Sequence, residues 1–197
     1  QSDTRNANLD SSQINAYLKP TEKIPSGHPE IVALARSINT NAGSDQEKLR
    51  NIATYVDSHM KYNENSPVKN QGALSAVRKG EGVCEDYAAL YTALSRASGI
   101  PARQVNGYAD PKCTGESWSK EEIVSLRGYR HSWVEVYIKD WGWVAVDPTF
   151  KMYPQIGNDS EKVIPGHIAQ NYQDESVRVS YQEGKLAVTW DNVLINK

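Results

Sequence analysis

Residues 80–87 read Gly-Glu-Gly-Val-Cys-Glu-Asp-Tyr, and the rest of the fold is organised around this stretch. Its glycines end the preceding segment, and a helical pattern begins at Cys84, because apolar residues then recur at spacings of three and four. These apolar residues are Tyr87, Leu90, Tyr91, Leu94 and Ala97. Gly99 stands where a helix C-cap is expected, and Pro101 prevents continuation. The stretch therefore predicts a helix from Cys84 to about Ser98.

A cysteine in the first turn of a helix is chemically distinctive. The unpaired backbone N–H groups and the positive end of the helix dipole favour its thiolate over its thiol. Cys84 is therefore a candidate nucleophile. The alternative is a buried and inert cysteine, which is the commoner role of a single Cys. Because position alone supports both, the choice depends on whether the chain also supplies a base and a residue that orients it.

The composition is that of an ordinary globular protein and excludes two classes of partner. The 197 residues include 39% hydrophobic and 23% charged side chains, and this length favours a single domain over residues 1–197. A net charge of −2 provides no basic surface for nucleic acid. No apolar run reaches the roughly eighteen residues that span a bilayer, so we expect no membrane span.

The start of the sequence and its two cysteines bear on where the protein works. The chain begins with Gln1 and is polar as far as Ser12, so we expect a secreted or cell-surface protein whose leader has been removed, and otherwise a cytoplasmic one. Cys84 and Cys113 could form a disulfide in an oxidising compartment. A structural disulfide would, however, leave the thiolate-favouring position of Cys84 without a use.

Helical patterns precede strand patterns along the chain. After an extended lead-in over residues 1–27, we predict helices over about 29–41, 45–59 and 73–78. A strand is predicted over 103–108, then a long loop over 110–128 with one helical turn near 120–125. Two hairpins follow, formed by residues 131–138 with 143–147 and by 177–182 with 186–190. This order predicts an α+β fold, with N-terminal helices packed on an antiparallel sheet.

One imidazole and one carboxylate downstream of Cys84 complete a candidate triad. His131 begins the first strand of the first hairpin, and Asp147 ends the second strand. Side chains alternate along strands, so the two share a face only if the hairpin loop has an odd length. A five-residue loop over 138–142 places Asp147 opposite Trp133 and makes His131 its diagonal neighbour, roughly 7 Å away by Cβ. The Asp147 carboxylate can then accept from Nδ1–H of His131 and fix its tautomer.

Four separated blocks of the chain, in this order, resemble the transglutaminase-like superfamily. Residues 82–88 are Gly-Val-Cys-Glu-Asp-Tyr-Ala, and residues 98–108 are Ser-Gly-Ile-Pro-Ala-Arg-Gln-Val-Asn-Gly-Tyr. Residues 131–137 are His-Ser-Trp-Val-Glu-Val-Tyr, and residues 142–149 are Gly-Trp-Val-Ala-Val-Asp-Pro-Thr. The resemblance covers about residues 45–150 and implies a papain-like, transglutaminase-core fold. Residues 1–44 and a C-terminal β-hairpin extension over 151–197 flank this core.

By this resemblance Cys84 is the nucleophile, His131 is the base and Asp147 orients His131. The implied reaction is acyl transfer, in which Cys84 attacks a protein or peptide amide and the resulting thioester passes to water or to an acceptor amine. The intermediates need an oxyanion hole. The backbone N–H of Cys84 is one natural donor, and Tyr62 resembles the family's aromatic donor, with Gln71 as the papain-like alternative.

We also predict roles for three further residues. Trp118 and Tyr129, beside the long loop, are candidates for lining a substrate groove, although surface aromatics often have no special role. Arg103 is expected to be structural, paired inside or beside the sheet. Because no calcium-loop signature is present, we expect no metal and no cofactor.

The expected partner is a protein or peptide substrate, together with an amine acceptor if the thioester is transferred rather than hydrolysed. We expect a monomer. The alternative from another class is a non-catalytic binding or scaffold module at the cell surface, which keeps the fold without turnover. The presence of Cys84, His131 and Asp147 together counts against that alternative.

Overall fold

The computed structural model describes residues 8–110, 123–125, 128–154, 164–172 and 192–194. The helices in these ranges are α1 (Ser11–Ala16), α2 (Pro29–Ile38), α3 (Asp45–His59), α4 (Ala73–Lys79) and α5 (Cys84–Ala97). The strands are β1 (Lys61–Tyr62), β2 (Glu81–Gly82), β3 (Ala102–Ala109), β4 (Ile123–Ser125), β5 (Arg130–Ile138), β6 (Gly142–Val146), β7 (His167–Tyr172) and β8 (Asn192–Leu194).

A four-stranded antiparallel sheet, in the order β6-β5-β3-β7, forms the floor on which the helices lie. The main hydrophobic core joins the apolar faces of α2 to α5 to one face of this sheet, where Val134, Val136, Val144 and Val146 are buried. The short strands β1 and β2 pair in parallel, and β4 pairs with β8. This arrangement confirms the predicted α+β fold, with helices on an antiparallel sheet.

Helix α5 is the central element of the core, as the sequence predicts. It begins at Cys84 and ends at Ala97, and Gly99 follows at φ 83°, a conformation that suits glycine. Leu90 and Leu94 are fully buried. Burying a leucine side chain contributes roughly 1.5–3 kcal/mol, so these residues anchor the helix and hold its first turn in a fixed place.

The hairpin of β5 and β6 has the predicted register. Tyr137 pairs with Trp143, and the ladder continues to a further pair, Ile138 with Gly142. The loop is therefore residues 139–141 rather than the predicted 138–142, because Gly142 adopts φ 87° and lets the ladder close one pair further. The loop length stays odd, so the face predicted for His131 and Asp147 does not change.

The lead-in and the long loop differ from prediction in places. Residues 11–16 form a short helix rather than extended chain, because Asp10 caps it by accepting from the backbone amides of Ser12 and Gln13 at 2.8 and 2.9 Å. Residues 123–125 form a strand, not part of a helical turn, because Ile123 and Val124 are β-branched and pair with β8. The predicted hairpin over 177–182 and 186–190 lies outside the described residues.

Strand β7 was not predicted, and it forms the sheet edge next to β3. Its register shifts between Asn106 and Gly107, and Gly107 makes the pairing possible. A Cβ atom at Gly107 would lie 2.1 Å from the carbonyl oxygen of Ile168 and 2.9 Å from the ring of Trp133. Glycine therefore allows β7 to approach at the point where Gly107 also pairs with His131.

Candidate active site

Three elements bring the candidate triad to one end of the sheet. Cys84 is the first residue of α5, His131 lies at the start of β5, and Asp147 follows β6 directly. Asp147 is held there by a two-way backbone bridge with Met152, with N···O distances of 3.0 and 2.9 Å. Helix α5 packs across β5, and the Ser132 backbone acts to lower the pKa of the Cys84 thiol. Among the described residues, the hydrogen-bond partner of the Cys84 thiol is Glu85, whereas that of His131 is Asp147.

The structure joins His131 to Asp147 by a short, buried hydrogen bond. His131 Nε2 lies 2.7 Å from Asp147 Oδ2, and the two side chains are 6% and 0% exposed. The nitrogen involved is Nε2, so the predicted use of Nδ1 is wrong. His131 and Asp147 are diagonal neighbours on the sheet, so Nε2, the ring nitrogen farther from the backbone, faces Asp147. Nδ1 is therefore the nitrogen that remains for a second partner.

Asp147 is fixed as a carboxylate. Its Oδ1 accepts from the backbone amides of Thr149 and Phe150 at 2.8 and 3.1 Å, while Oδ2 accepts from His131 and also from Nε2 of His167 at 3.0 Å. Burial alone would raise the pKa of Asp147, but the hydrogen bonds from the two histidines outweigh burial and lower the pKa to about 2. Asp147 is therefore ionised at neutral pH.

Cys84 is protonated at rest, contrary to the predicted thiolate. Its side chain donates a hydrogen bond from Sγ to Oε2 of Glu85 at 3.1 Å. Burial, then the charge of Glu85 and this hydrogen bond, raise the pKa of the Cys84 thiol to about 12, and the opposing Ser132 amide is too weak to reverse the shift. The effect of the helix dipole, on which the predicted thiolate depended, is outweighed by desolvation and by the adjacent carboxylate.

Asp86 is a site residue that sequence reasoning missed. Its buried carboxylate accepts from the backbone amides of Asn70, Gly72 and Val83 at 2.9, 3.1 and 3.0 Å. These bonds fasten the 70–72 loop to the start of α5. An acidic residue in the third position of a helix, next to its N-terminus, was the available signal. Gly82 leaves room for this carboxylate, because a Cβ atom at position 82 would lie only 2.6 Å from Asp86 Oδ2.

The two oxyanion candidates lie in different surroundings. Tyr62 is 51% exposed, and its ring centroid lies 6.2 Å from that of Tyr87 in the first turn of α5. Partial burial, followed by the nearby Cys84, raises the pKa of Tyr62 to about 12, so its hydroxyl keeps the proton that it would donate. Gln71 is exposed and uses its amide locally, donating to the Pro67 carbonyl at 3.3 Å.

The groove candidates are only partly within the described residues. Tyr129 is half-buried, and its carbonyl oxygen accepts from the Ala109 amide at 2.9 Å, next to the start of β5. Trp118 and Cys113 lie outside the described residues. Cys84 is a free cysteine, so the structure does not contain the disulfide that the sequence left open for it.

A polar cavity of about 430 Å³ opens beside the candidate triad. His131, with its neighbour Ser132, and Glu85, the residue after Cys84, form one side of it. Amide, charged and small residues complete the lining: Lys23, Asn70, Gly72, Asp86, Ala89, Gln104, Asn106, Gly107, Arg130, Gln170 and Asn171. Asn106 accepts from Ser132 Oγ at 2.7 Å, so part of this polar wall is organised before any ligand arrives. The cavity suits polar groups of a peptide better than an apolar side chain.

His131, Asp147 and His167 also form a group that could hold a metal ion. Their ligand atoms lie within 4.8 Å of one another, and two imidazoles with one carboxylate are ligands that transition metals accept. In the structure, however, Oδ2 of Asp147 lies at hydrogen-bond distance from both Nε2 atoms, so the three groups already satisfy one another. The absence of a metal requirement stays a prediction.

Comparison with known proteins gives a consistent family. The model of the transglutaminase-like superfamily matches residues 32–148. An uncharacterized protein of Mycobacterium leprae is 26% identical over 187 residues, which cover 92% of this chain and 60% of that protein. A protein-glutamine gamma-glutamyltransferase of Pseudomonas aeruginosa is 36% identical over 75 residues, covering 38% of this chain and 11% of that protein.

Solved structures share the fold. A protein named as a candidate cysteine protease from Cytophaga hutchinsonii superposes with a TM-score of 0.58 at 21% identity, covering 91% of this chain and 63% of that one. The periplasmic domain of TgpA from Pseudomonas aeruginosa gives a TM-score of 0.55 at 23% identity, covering 73% and 49%. These likenesses confirm the predicted transglutaminase-type fold.

The chain covers only part of the proteins that it resembles, and its described part contains no membrane-spanning helix. The chain spans 60% of the length of the Mycobacterium leprae relative and 63% of the Cytophaga hutchinsonii structure. Within the part of the chain that the structure describes, no helix has both the length and the apolar character to cross a bilayer.

Proposed function

Because the chain belongs to the transglutaminase-like superfamily, we propose that it is a cysteine-dependent enzyme that forms a thioester between Cys84 and the acyl group of a protein or peptide amide. The observation that carries the proposal is the buried 2.7 Å hydrogen bond between His131 Nε2 and Asp147 Oδ2, because His131 lines the same cavity as Glu85, the residue after Cys84. That bond fixes the imidazole with its proton on Nε2 and keeps Nδ1 as a base.

The first step starts from a neutral thiol. Nδ1 of His131 takes the Cys84 proton as the sulfur attacks the amide carbonyl carbon, because the resting pKa of about 12 disfavours a preformed thiolate. The tetrahedral intermediate carries its negative charge on the former carbonyl oxygen. The Cys84 backbone N–H and the Tyr62 hydroxyl are the proposed donors to that oxygen. When the intermediate collapses, its carbon–nitrogen bond breaks, the departing amine takes from His131 the proton that Cys84 gave up, and the thioester remains.

The second step transfers the acyl group from sulfur to water, which gives hydrolysis. His131 takes a proton from the water, the thioester carbon–sulfur bond breaks, and Cys84 recovers its proton. The polar cavity beside His131 and Ser132 would receive polar parts of the peptide substrate. We also propose that the protein works at the cell surface or outside the cell, as befits a fold shared with a periplasmic domain.

A second candidate function is transfer of the acyl group to an amine. Two observations favour it: the Pseudomonas aeruginosa relative is a protein-glutamine gamma-glutamyltransferase, and Glu85 places a carboxylate beside the thiol, where it would attract an ammonium group. The first half-reaction is the same in both functions, so the same residues act until the acceptor arrives.

The purified chain is incubated with casein and dansylcadaverine, a fluorescent primary amine, and three products are measured: dansyl-labelled casein, ammonia and new peptide ends. We expect at least one product from the wild type and none from Cys84→Ala or His131→Ala. Labelled casein means amine transfer, whereas ammonia or peptide ends without label mean hydrolysis. Equal signals from the wild type and Cys84→Ala would instead support the non-catalytic binding module.

The oxyanion assignment has its own matched pair of variants. Tyr62→Phe removes only a hydroxyl, and Gln71→Ala removes the rival amide. Losing one oxyanion donor typically lowers kcat on the order of 100-fold or more, so we expect this loss in Tyr62→Phe and near-normal kcat in Gln71→Ala. The reverse result would assign the second donor to Gln71.

A further inference from the structure

His167 lies outside the region that matches the family, yet it binds the candidate catalytic carboxylate directly. Its Nε2 is 3.0 Å from Asp147 Oδ2, the same oxygen that His131 binds at 2.7 Å. The His167 side chain is 3% exposed. Two imidazoles thus share one oxygen of a buried carboxylate.

Both ring nitrogens of His167 face oxygen acceptors. Nδ1 lies 3.0 Å from the Pro165 carbonyl oxygen, while Nε2 faces Asp147. A carbonyl oxygen and an ionised carboxylate only accept, so in each of these hydrogen bonds the His167 ring is the donor.

The four acceptor positions of Asp147 are then fully used. Oδ2 accepts from the two imidazoles, and Oδ1 accepts from the backbone amides of Thr149 and Phe150. An ionised carboxylate has about four such positions. The carboxylate plane cannot rotate without breaking one of these bonds, and removing His167 would free one side of Oδ2.

The His167 ring is held by aromatic neighbours as well as by hydrogen bonds. The Trp133 ring meets it edge-on at a centroid distance of 5.0 Å, and the Phe150 ring lies at 6.1 Å. Phe150 also stacks on His131 at 4.4 Å with the planes 6° apart. The two imidazoles therefore share one aromatic enclosure, and a shift of either ring is passed to the other through Asp147.

We propose that His167 is a positioning residue for the triad: it orients the Asp147 carboxylate and through it the His131 ring, without touching the substrate. This inference depends on the function proposed above. It implies that His167 affects the chemical step, where the His131 Nδ1 must meet the Cys84 proton, and leaves substrate binding unchanged.

Two variants that differ by one methylene separate this role from a merely structural one. In His167→Gln the side-chain amide can reach the place of Nε2 and still donate to Asp147. In His167→Asn the shorter amide can reach the place of Nδ1, so it keeps the bond to the Pro165 carbonyl and loses the bond to Asp147. His59→Gln is the matched control. His59 lies on α3 and its Nε2 contacts the Val77 carbonyl oxygen at 2.8 Å, so this variant makes the same change at a histidine of another element.

Steady-state kinetics with casein, following whichever product the wild type forms, give the first readout. We expect kcat in His167→Asn to fall on the order of tenfold to 100-fold with KM unchanged, by analogy with the loss seen when the outer hydrogen-bond partners of metal-bound histidines are removed. His167→Gln should keep most of kcat, and His59→Gln all of it. Equal kcat in the Gln and Asn variants, or a loss confined to KM, overturns the proposal.

A second readout does not require turnover. In the NMR spectrum of the ¹⁵N-labelled protein, the His131 Nε2 proton in the bond to Asp147 gives a downfield ring N–H signal. We expect this signal to persist in His167→Gln and to broaden in His167→Asn. If the wild type shows no turnover, the proposed enzyme function fails, while this signal still decides the structural link: an identical signal in all variants rejects it.

Discussion

Two buried charged clusters lie on the same side of the central sheet, and they are built for different purposes. Arg103 of β3 and Glu135 of β5 form an ion pair of 2.8 Å, with side chains 7% and 11% exposed. His131 lies four residues before Glu135 on β5, so both point to the same face. At the His131 end of β5, the cluster consists of His131, Asp147 and His167, and the groups that bind the carboxylate are imidazoles rather than a guanidinium.

The Arg103 cluster is closed and permanently charged. Its guanidinium lies between the rings of Trp143 and Tyr172, at 4.2 and 3.6 Å from their centroids. Burial alone would lower the pKa of Arg103, but Glu135 outweighs it and raises the pKa further. An arginine does not release its proton in a protein, so this cluster holds the sheet together and can do no proton transfer. The predicted pairing of Arg103 inside the sheet is confirmed.

The Asp147 cluster differs in chemistry rather than in burial. Its donors are imidazoles, which unlike a guanidinium have a second nitrogen that can accept a proton, and His131 and the next residue, Ser132, line the polar cavity. Burial of charge therefore does not by itself identify a catalytic group. The features that distinguish the Asp147 cluster are the second nitrogen of its donor rings and the position of His131 in the wall of the polar cavity.

The largest expected effect is on turnover in Asp147→Asn. An asparagine amide would donate to Nε2 of His131, so the ring would carry its proton on Nδ1 and could not take the Cys84 proton. Reversing a tautomer in this way lowers kcat on the order of 1000-fold or more in a triad enzyme. We expect this loss in a variant whose thermal unfolding still shows one cooperative transition. Activity near that of the wild type would mean that Asp147 is as structural as Glu135.

The reciprocal variant, Glu135→Ala, should damage the fold instead of the chemistry. It leaves the Arg103 guanidinium buried without its carboxylate, which costs about 3–5 kcal/mol of unfolding free energy. We expect urea unfolding to show this loss, and kcat per folded molecule to stay within about threefold of the wild type. The double variant Arg103→Met, Glu135→Leu is the control, because replacing both charges with apolar groups should recover much of the stability.

The hairpin shows how much of this contrast was predictable. Alternation along 131–147 and an odd loop were enough to place His131 and Asp147 on one face, and the structure keeps that register. The apolar spacing from Cys84 onward likewise predicted α5. These are local patterns, in which each residue's neighbours are set by the geometry of a helix or a hairpin.

The parts that were missed depend on contacts between distant segments. His167 lies on β7, an edge strand whose residues are half-buried or exposed. The sequence of β7 therefore lacks the alternation of apolar and polar residues that indicates a strand with one buried face. Its place beside Asp147 depends on the pairing of β7 with β3, which Gly107 permits. The resting thiol of Cys84 was missed for a similar reason, because desolvation by the folded chain is not visible in a short stretch of sequence.

A smaller effect should appear in the dependence of stability on pH. The pKa of Asp147 is about 2 in the folded chain, against a reference of 3.8. The lowered pKa stabilises the fold above the unfolded pKa, and this contribution, about 2 kcal/mol, is lost as pH falls through 3.8 toward 2. Urea unfolding of the wild type and Asp147→Asn at pH 6 and pH 2.5 measures it. The stability gap between them should narrow at the lower pH, and a constant gap would contradict the assignment.

The smallest expected effect concerns Glu85, the carboxylate whose hydrogen-bond partner in the site is the Cys84 thiol. Glu85→Gln keeps an acceptor for the S–H group but removes the negative charge, so the pKa of Cys84 should fall from its value of about 12. Each unit of pKa gives about tenfold more thiolate at pH 8, and alkylation by iodoacetamide should accelerate in proportion. Mass spectrometry locates the label on Cys84, and Glu22→Gln, an exposed position, is the matched control. If the two variants react at the same rate, burial alone holds the proton on the thiol, and the charge of Glu85 has no part in setting the resting state of the site.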